Sequence, residues 1–249
     1  MHKMMICTRI AFISVVLAVA GCTVAPTAAP PPQAPGPAVA SAEPRVTARQ
    51  AVDNFSAVVA QVEPVAEQQC RARTQNTNCD FLIQVDTRTD QPVNAFQTVT
   101  EDGQPLIVFT VALIADARNR DELAFVLGHE AAHHIAGHLT QMQQDAALGA
   151  LAGSVLASVL TGGASEAVRQ TAIDQAAQAG AFVGARTYSK ANELEADALG
   201  TVIAARAGFD PVRGAAFFNR LPDPGDQFLG SHPPNADRIR VVREVAAGL

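Results

Sequence analysis

Residues 126–133 read Val-Leu-Gly-His-Glu-Ala-Ala-His, a stretch with two histidines at positions 129 and 133. Four residues of α-helix turn through about 400°, so His129 and His133 would project from nearly the same helix face, one turn apart. Two imidazoles placed in this way can bind one metal ion. The spacing therefore predicts a helix that supplies two ligands to a single zinc ion.

The distribution of histidines also favours a metal site, because four of the six lie between positions 129 and 138. In the H-E-x-x-H motif the glutamate, here Glu130, does not bind the metal but takes a proton from the zinc-bound water. On a continued helix His134 and His138 would point away from His129. We therefore interpret both as polar or capping residues rather than ligands.

The first 21 residues have the build of a secretory signal, with two basic residues before an apolar run too short to span a membrane. The run ends Val-Ala-Gly-Cys, which looks like a bacterial lipobox, so we expect Cys22 to be acylated and to become the lipid anchor. Ordinary signal cleavage beside an incidental cysteine is the alternative. Residues 22–45 are dominated by alanine and proline and predict a spacer, and residues 46–249 suit one domain.

Loss of residues 1–21 removes two of the 18 basic residues, Lys3 and Arg9, and none of the 24 acidic ones, which leaves 16 against 24 and a net charge of −8. This balance argues against nucleic acid or an anionic membrane surface as a partner. Thr23, in place of aspartate after the cysteine, favours the outer membrane by analogy with lipoprotein sorting. The expected location is the bacterial envelope, facing the periplasm.

The domain is predicted to be α+β and mostly helical, with a small sheet before the metal helix. Thr47 and Gln50 form a capping box at the start of a first helix, and Asn119 is the expected N-cap of the metal helix. The β-rich runs lie at 81–85, 93–99 and 106–110.

Two further segments allow alternatives. Cys70 and Cys79 are expected to form a disulfide in an oxidising compartment, with free thiols as the other possibility. Residues 146–160 are apolar, and we expect a buried helix under the site, with a lid or a membrane-dipping segment as alternatives.

The third ligand is expected from an acidic helix that ends near Gly208. Glu193 and Asp197 are four residues apart and share a face, so Glu193 would complete a two-histidine, one-glutamate site while Asp197 orients a histidine. Glu195 points elsewhere and suits a solvated face. Spacing alone favours Glu193 over Glu195 only modestly.

These motifs together resemble the HtpX/CAAX-prenyl-protease family of zinc metallopeptidases, from about residue 79 to 238. The matching segments are Asn94-Ala95-Phe96, Asp121-Glu122-Leu123-Ala124, the motif at 129–133, Tyr188-Ser189, Glu193 with Asp197, Ala207-Gly208-Phe209-Asp210-Pro211 and Ser231-His232-Pro233. The resemblance implies a zincin-like (gluzincin) fold with one Zn²⁺ per chain. It also implies that His129, His133 and Glu193 bind the zinc, that Glu130 is the base and that Asp197 supports a histidine.

Small lipid-anchored members are the closer likeness, and these are linked to quality control of envelope proteins. The expected function is thus a zinc endopeptidase that cleaves unfolded or misassembled envelope proteins, held as extended polypeptide along a sheet edge near Asn94 to Phe96. A non-catalytic, zinc-binding lipoprotein with a holding role is the alternative. His232 is expected to plug the metal site or to assist the oxyanion, and Tyr188 and Arg238 are candidates for oxyanion stabilisation or support. Oligomeric state is left open.

Overall fold

The computed structural model describes residues 43–187, 189–222 and 233–249. Its helices are α1 Ala48–Arg73, α2 Val111–Asp116, α3 Arg120–Ile135, α4 His138–Leu160, α5 Glu166–Thr187, α6 Ser189–Arg206, α7 Pro211–Gly214 and α8 Asn235–Ala246, with a 3-10 helix at Ala215–Arg220. Its strands are β1 Leu82–Asp86, β2 Ala95–Val99 and β3 Pro105–Thr110. The prediction of a mostly helical α+β fold with a small sheet before the metal helix is confirmed.

The sheet has the order β1-β3-β2, with β3 in the centre. β1 runs parallel to β3, so that Leu82 is opposite Leu106, and β2 runs antiparallel to it, so that Ala95 is opposite Phe109. Among the described strands, β2 pairs on one side only. One edge of the sheet is therefore formed by β2. This strand starts within the region Asn94 to Phe96, where the sequence predicted substrate binding.

Helix α3 is the centre of the core. It starts as predicted, because the Asn119 side chain accepts a hydrogen bond from the backbone N–H of Glu122. Leu123, Phe125 and Leu127 are almost completely buried, and α3 packs against α1, α6 and the sheet. A helix buried on nearly every side is held rigidly, which suits the element that presents His129 and His133.

Helix α1 packs against α3 and is fixed at both of its ends. Thr47 and Gln50 form the predicted capping box. The last turn of α1 is joined to the following loop by a disulfide between Cys70 and Cys79, whose Cα atoms are 5.7 Å apart. Both cysteines are buried beside the core. Glu43 accepts hydrogen bonds from Arg213 and Asn119, which links the chain just before α1 to α3 and α7.

Residues 146–160 do not form the buried helix that we expected under the site. They belong to α4, which pairs with α5 as an antiparallel hairpin in which glycines face each other, and a Cβ added at Gly149 or Gly180 would collide with the opposite backbone. This small-residue seam turns the large apolar side chains outward. Those more than half exposed in α4 are Leu148, Leu151, Val155, Leu156, Val159 and Leu160. The prediction was wrong because apolar composition does not reveal that the hairpin packs chiefly on itself.

Within residues 43–187, 189–222 and 233–249, none of the helices combines the length and the apolar character that a bilayer crossing requires.

Candidate metal centre

Two histidines from α3 and one carboxylate from α6 converge at one point. The Nε2 atoms of His129 and His133 are 3.0 Å apart. Glu193 Oε2 lies 3.5 Å from His129 Nε2, and Glu193 Oε1 lies 3.4 Å from His133 Nε2. Among the described residues these three form the one group of His, Cys, Asp and Glu side chains close enough to hold a metal ion together.

The size of this triangle fits a tetrahedral metal ion. Bonds of about 2.0 to 2.2 Å at tetrahedral angles place neighbouring ligand atoms about 3.3 to 3.6 Å apart. The two distances to Glu193 fall in this range and the distance between the histidines is slightly shorter. Two imidazoles and one carboxylate are also a donor set that catalytic zinc sites use, with a fourth position open. The residues present therefore fit the ion that the motif implies.

His129 is oriented from behind by Asp197. Its Nδ1 lies 2.9 Å from Asp197 Oδ1, so the Nδ1–H donates to the carboxylate and Nε2 faces the other ligands. Asp197 is completely buried and accepts two hydrogen bonds from Arg238, of 2.8 Å from Nε and 2.7 Å from Nη2. The Arg238 guanidinium also lies 3.8 Å above the ring of Phe218. Arg238 Nη2 also lies 3.4 Å from Glu193 Oε2, so its guanidinium contacts both carboxylates of the centre.

The electrostatics of the centre favour a positive charge at His129. Burial opposes charge on His129, but the hydrogen bonds to Asp197 and Glu193 outweigh it and raise the pKa of His129 to about 10. Burial would likewise raise the pKa of Asp197, yet hydrogen bonds from Arg238 and His129 hold that pKa below its usual range. Asp197 is therefore ionised, and the site attracts either a proton or a metal cation.

The convergence depends on a very close approach of α3 and α6. Gly128 precedes the first histidine and faces Gly200, and a Cβ added at Gly200 would lie 2.8 Å from the backbone nitrogen of His129. Side chains at these two positions would hold the helices apart. Glycine at both lets the side chains of Asp197 and Glu193, about one and two turns before Gly200, reach the histidines.

The sequence did not place His138 beside the candidate ligands, because a helix continued beyond Ile135 would point it away from them. In the structure Gly137 adopts a left-handed conformation with φ 72°, which ends α3, and a new helix, α4, starts at His138. His138 is buried and its Nδ1 lies 3.0 Å from His133 Nδ1. Burial, and next the neighbouring His133, lower the pKa of His138. The available signal was Gly137 itself, since glycine commonly ends helices.

Glu195 and His134 lie outside the ligand group. Glu195 Oε2 is 3.4 Å from His138 Nε2, and the Glu195 side chain is 65% exposed. His134 contacts the backbone carbonyl of Asn78 at 2.7 Å and packs edge-on against Phe81, away from the other histidines.

The ligands face a cavity of about 650 Å³ that is open on one side. Glu130 lines this cavity together with His129 and His133, and it is half-buried rather than enclosed. Its lining also includes residues 93–97, from the start of β2, and Phe217 and Phe218 from the 3-10 helix. The cavity therefore brings Glu130, the three candidate ligands and the free edge of β2 into one space.

Several residues proposed from the sequence lie outside the described residues. They are Cys22, Tyr188 and His232.

The fold and the site together define a class of protein. A helix with H-E-x-x-H, a glutamate on a second helix and a cavity beside a small sheet are the parts of a zincin-like metallopeptidase.

Comparison with known proteins identifies the family. The model of peptidase family M48 matches residues 54–246, about three quarters of the chain, and the chain therefore belongs to this family of metal-dependent peptidases. The HtpX-type resemblance seen in the sequence is confirmed.

Proteins similar in sequence include beta-barrel assembly-enhancing proteases. Those of Yersinia pestis and Escherichia coli (strain K12) are 32% and 30% identical over 148 and 153 residues, each alignment covering 56% of this chain. A Vibrio cholerae protein is 37% identical over 147 residues, 54% of this chain. The aligned part is 29% to 30% of the length of these relatives. The chain thus spans less than a third of each.

Proposed function

We propose that this protein is a zinc endopeptidase that cleaves extended segments of unfolded or misassembled polypeptides. The observation that carries the proposal is the triangle of His129, His133 and Glu193 beside Glu130, in a cavity that is also lined by β2, whose outer edge pairs with no other described strand. Family membership supports peptide hydrolysis, and the donor set of two imidazoles and one carboxylate suits Zn²⁺. Metal analysis of the purified protein, with one zinc per chain expected, tests the choice of metal.

The chain's own residues have distinct roles in this proposal. His129 Nε2, His133 Nε2 and the Glu193 carboxylate hold the metal, and Asp197 fixes the ring of His129 with support from Arg238. When bound, the zinc polarises the scissile carbonyl and lowers the pKa of a water molecule. The Glu130 carboxylate takes a proton from that water and returns it to the leaving amine.

The substrate backbone binds along the free edge of β2. Residues 93–97 line the cavity, and β2 uses only one side to pair with β3 among the described strands. An extended peptide can add to such an edge through backbone hydrogen bonds, which do not depend on its sequence. The cavity lining also includes apolar side chains such as Leu139 and Met142, which we propose contact substrate side chains. This arrangement suits clients that have lost their fold.

The decisive experiment compares hydrolysis of unfolded casein by the wild-type protein and by Glu130→Gln. The variant keeps all three ligands, so it should bind one metal per chain as the wild type does and lose at least about two orders of magnitude in turnover. Equal turnover by the two proteins, with matched metal content, rejects Glu130 as the base. Binding of casein without hydrolysis by the wild type supports the holding role instead.

For the N-terminal part, we propose a signal peptide at 1–21, a lipid on Cys22, a spacer to residue 45 and a peptidase domain at 46–249. The location that follows is the bacterial envelope, at the outer membrane and facing the periplasm, where relatives named for beta-barrel assembly offer a matching client class. Labelling with palmitate should mark the wild type and not Cys22→Ala, and the variant should leave the membrane fraction. An unlabelled wild type rejects the anchor.

We further propose that His232 covers the metal until a client enters. It lies three residues before α8, whose first residue, Asn235, lines the cavity. If His232 is a plug, His232→Ala should bind metal more weakly and cleave casein at least as fast as wild type. A large fall in turnover at full metal content assigns oxyanion stabilisation instead. Tyr188 is proposed to stabilise the oxyanion or to support the site. Tyr188→Phe removes only its hydroxyl, and casein hydrolysis by this variant tests the proposal.

A further inference from the structure

Each imidazole at the candidate metal centre has two ring nitrogens. The hydrogen bond made by one nitrogen decides whether the other is free to bind the ion. His129 has Asp197 at its Nδ1, as described above. The corresponding atom of His133 faces another imidazole, at a distance of 3.0 Å between the two Nδ1 atoms. That partner is His138, which is buried and reaches this position because Gly137 turns the chain between α3 and α4.

The distances allow one consistent assignment of protons. His133 Nε2 lies 3.4 Å from Glu193 Oε1 and 3.0 Å from His129 Nε2, so Nε2 is the atom that must keep its lone pair for a metal. The proton of His133 is then on Nδ1, and it is donated to His138 Nδ1. His138 in turn carries its proton on Nε2, where Glu195 Oε2 accepts it at 3.4 Å. Each step has a donor facing an acceptor.

We propose that His138 is a positioning residue that holds His133 with Nε2 toward the metal, and that Glu195 extends this hydrogen-bonded chain to the surface. The inference rests on the proposed metal-binding role of His133. It assigns functions to two residues that the sequence marked as a capping residue and a solvated glutamate. Partners of this kind fix the tautomer and the orientation of a ligand ring, and their loss typically weakens metal binding about 10- to 100-fold.

The two members of the chain should contribute unequally. The Nδ1–Nδ1 contact is short and His138 is buried, so water cannot easily replace the acceptor. The contact to Glu195 is long for a hydrogen bond and its side chain is 65% exposed, so water can take over as acceptor. Removal of His138 should therefore have a large effect, and removal of Glu195 only a small one.

The experiment measures affinity for Co²⁺, whose d–d absorption reports on the metal centre without any turnover. Three substitutions separate hydrogen bonding from packing. His138→Leu removes the acceptor and should weaken Co²⁺ binding about 10- to 100-fold. His138→Asn keeps an acceptor oxygen where Nδ1 was and should stay within about threefold of wild type. His134→Leu changes the adjacent histidine, which faces Asn78 and Phe81, and should leave the affinity unchanged.

Two results overturn the proposal: wild-type affinity in His138→Leu, or an equal loss in His138→Leu and His138→Asn, which would assign a packing role. If His138→Leu does not fold, as judged by circular dichroism, His138→Gln takes its place, because its amide oxygen lies beyond the Nδ1 position and it should weaken binding as the leucine would. A separate control, His129→Ala, must lose Co²⁺ binding. If it does not, the proposed metal centre is wrong, and that failure is distinct from failure of the His138 proposal.

Discussion

Gly200→Ala tests whether the approach of α3 and α6 assembles the metal centre. The added Cβ would lie 2.8 Å from His129 N, 2.9 Å from His129 Cα and 3.1 Å from Gly128 C. All three are backbone atoms of a buried helix, so no side chain can move aside. Ordinary van der Waals contact begins at 3.4 Å, and the helices must therefore separate by about 0.6 Å at the closest point.

This displacement has different consequences for the fold and for the site. Overpacking in a core costs about 1 to 3 kcal/mol, and the better helix propensity of alanine offsets about 1 kcal/mol of it. We therefore expect the free energy of unfolding to fall by about 0 to 2 kcal/mol. Metal sites tolerate errors of only about 0.2 Å in ligand distance, so a shift of Glu193 relative to His129 should lower metal affinity at least about tenfold.

Urea denaturation of the metal-free protein gives the first quantity, and Co²⁺ titration gives the second. Gly163→Ala is the matched control, because it adds the same methyl group where no atom lies within 4 Å. We expect that control to behave as wild type in both measurements. A Gly200→Ala protein that binds Co²⁺ with unchanged affinity would refute the argument that close helix packing sets the ligand geometry.

Three further predictions concern ligands, buried charge and the disulfide. Glu193→Ala should lose the metal while Glu195→Ala keeps one ion per chain, because only Glu193 lies beside both histidines; metal analysis in the reverse order would reassign the ligand. Asp197→Ala removes the closer carboxylate of the buried Arg238 and leaves it Glu193 at 3.4 Å, so it should lower the free energy of unfolding by about 3 kcal/mol, and an unchanged urea midpoint would argue against a strong pair. Cys70→Ser opens a loop of nine residues' separation and should cost about 2 to 3 kcal/mol, with added reductant lowering wild-type stability by the same amount and leaving the variant unaffected.

The parts of the fold that the sequence predicted well are those set by local spacing. These features depend on neighbours along the chain. Asn119 is the N-cap of α3 as predicted, and the three strands lie within a residue or two of the predicted runs. The choice of Glu193 over Glu195 as a ligand also rested on a local rule, the shared helix face with Asp197, and it stays a prediction. Such rules need no knowledge of the tertiary structure.

The features that the sequence did not predict arise from packing between distant segments. The turn at Gly137 changes the direction of α4 and brings His138 to His133, which a continued helix would not allow. Residues 146–160 are apolar, but whether they are buried depends on the partner helix, and the small residues of α5 form a seam that leaves the leucines outside. The contact of Gly128 with Gly200 likewise depends on two helices separated by the whole hairpin.

If substrates bind along the free edge of β2 as proposed, this edge has a consequence for which clients are cut. Backbone pairing along a strand requires several consecutive residues of the client to be extended and without partners of their own, so a folded client must first open locally. When opening and closing are fast, the rate of cleavage follows the population of the open form. Each 1.4 kcal/mol of local stability in a client then slows its cleavage about tenfold. An enzyme that bound its clients in this way would distinguish them by their local thermodynamic stability, because the backbone pairing itself does not depend on sequence.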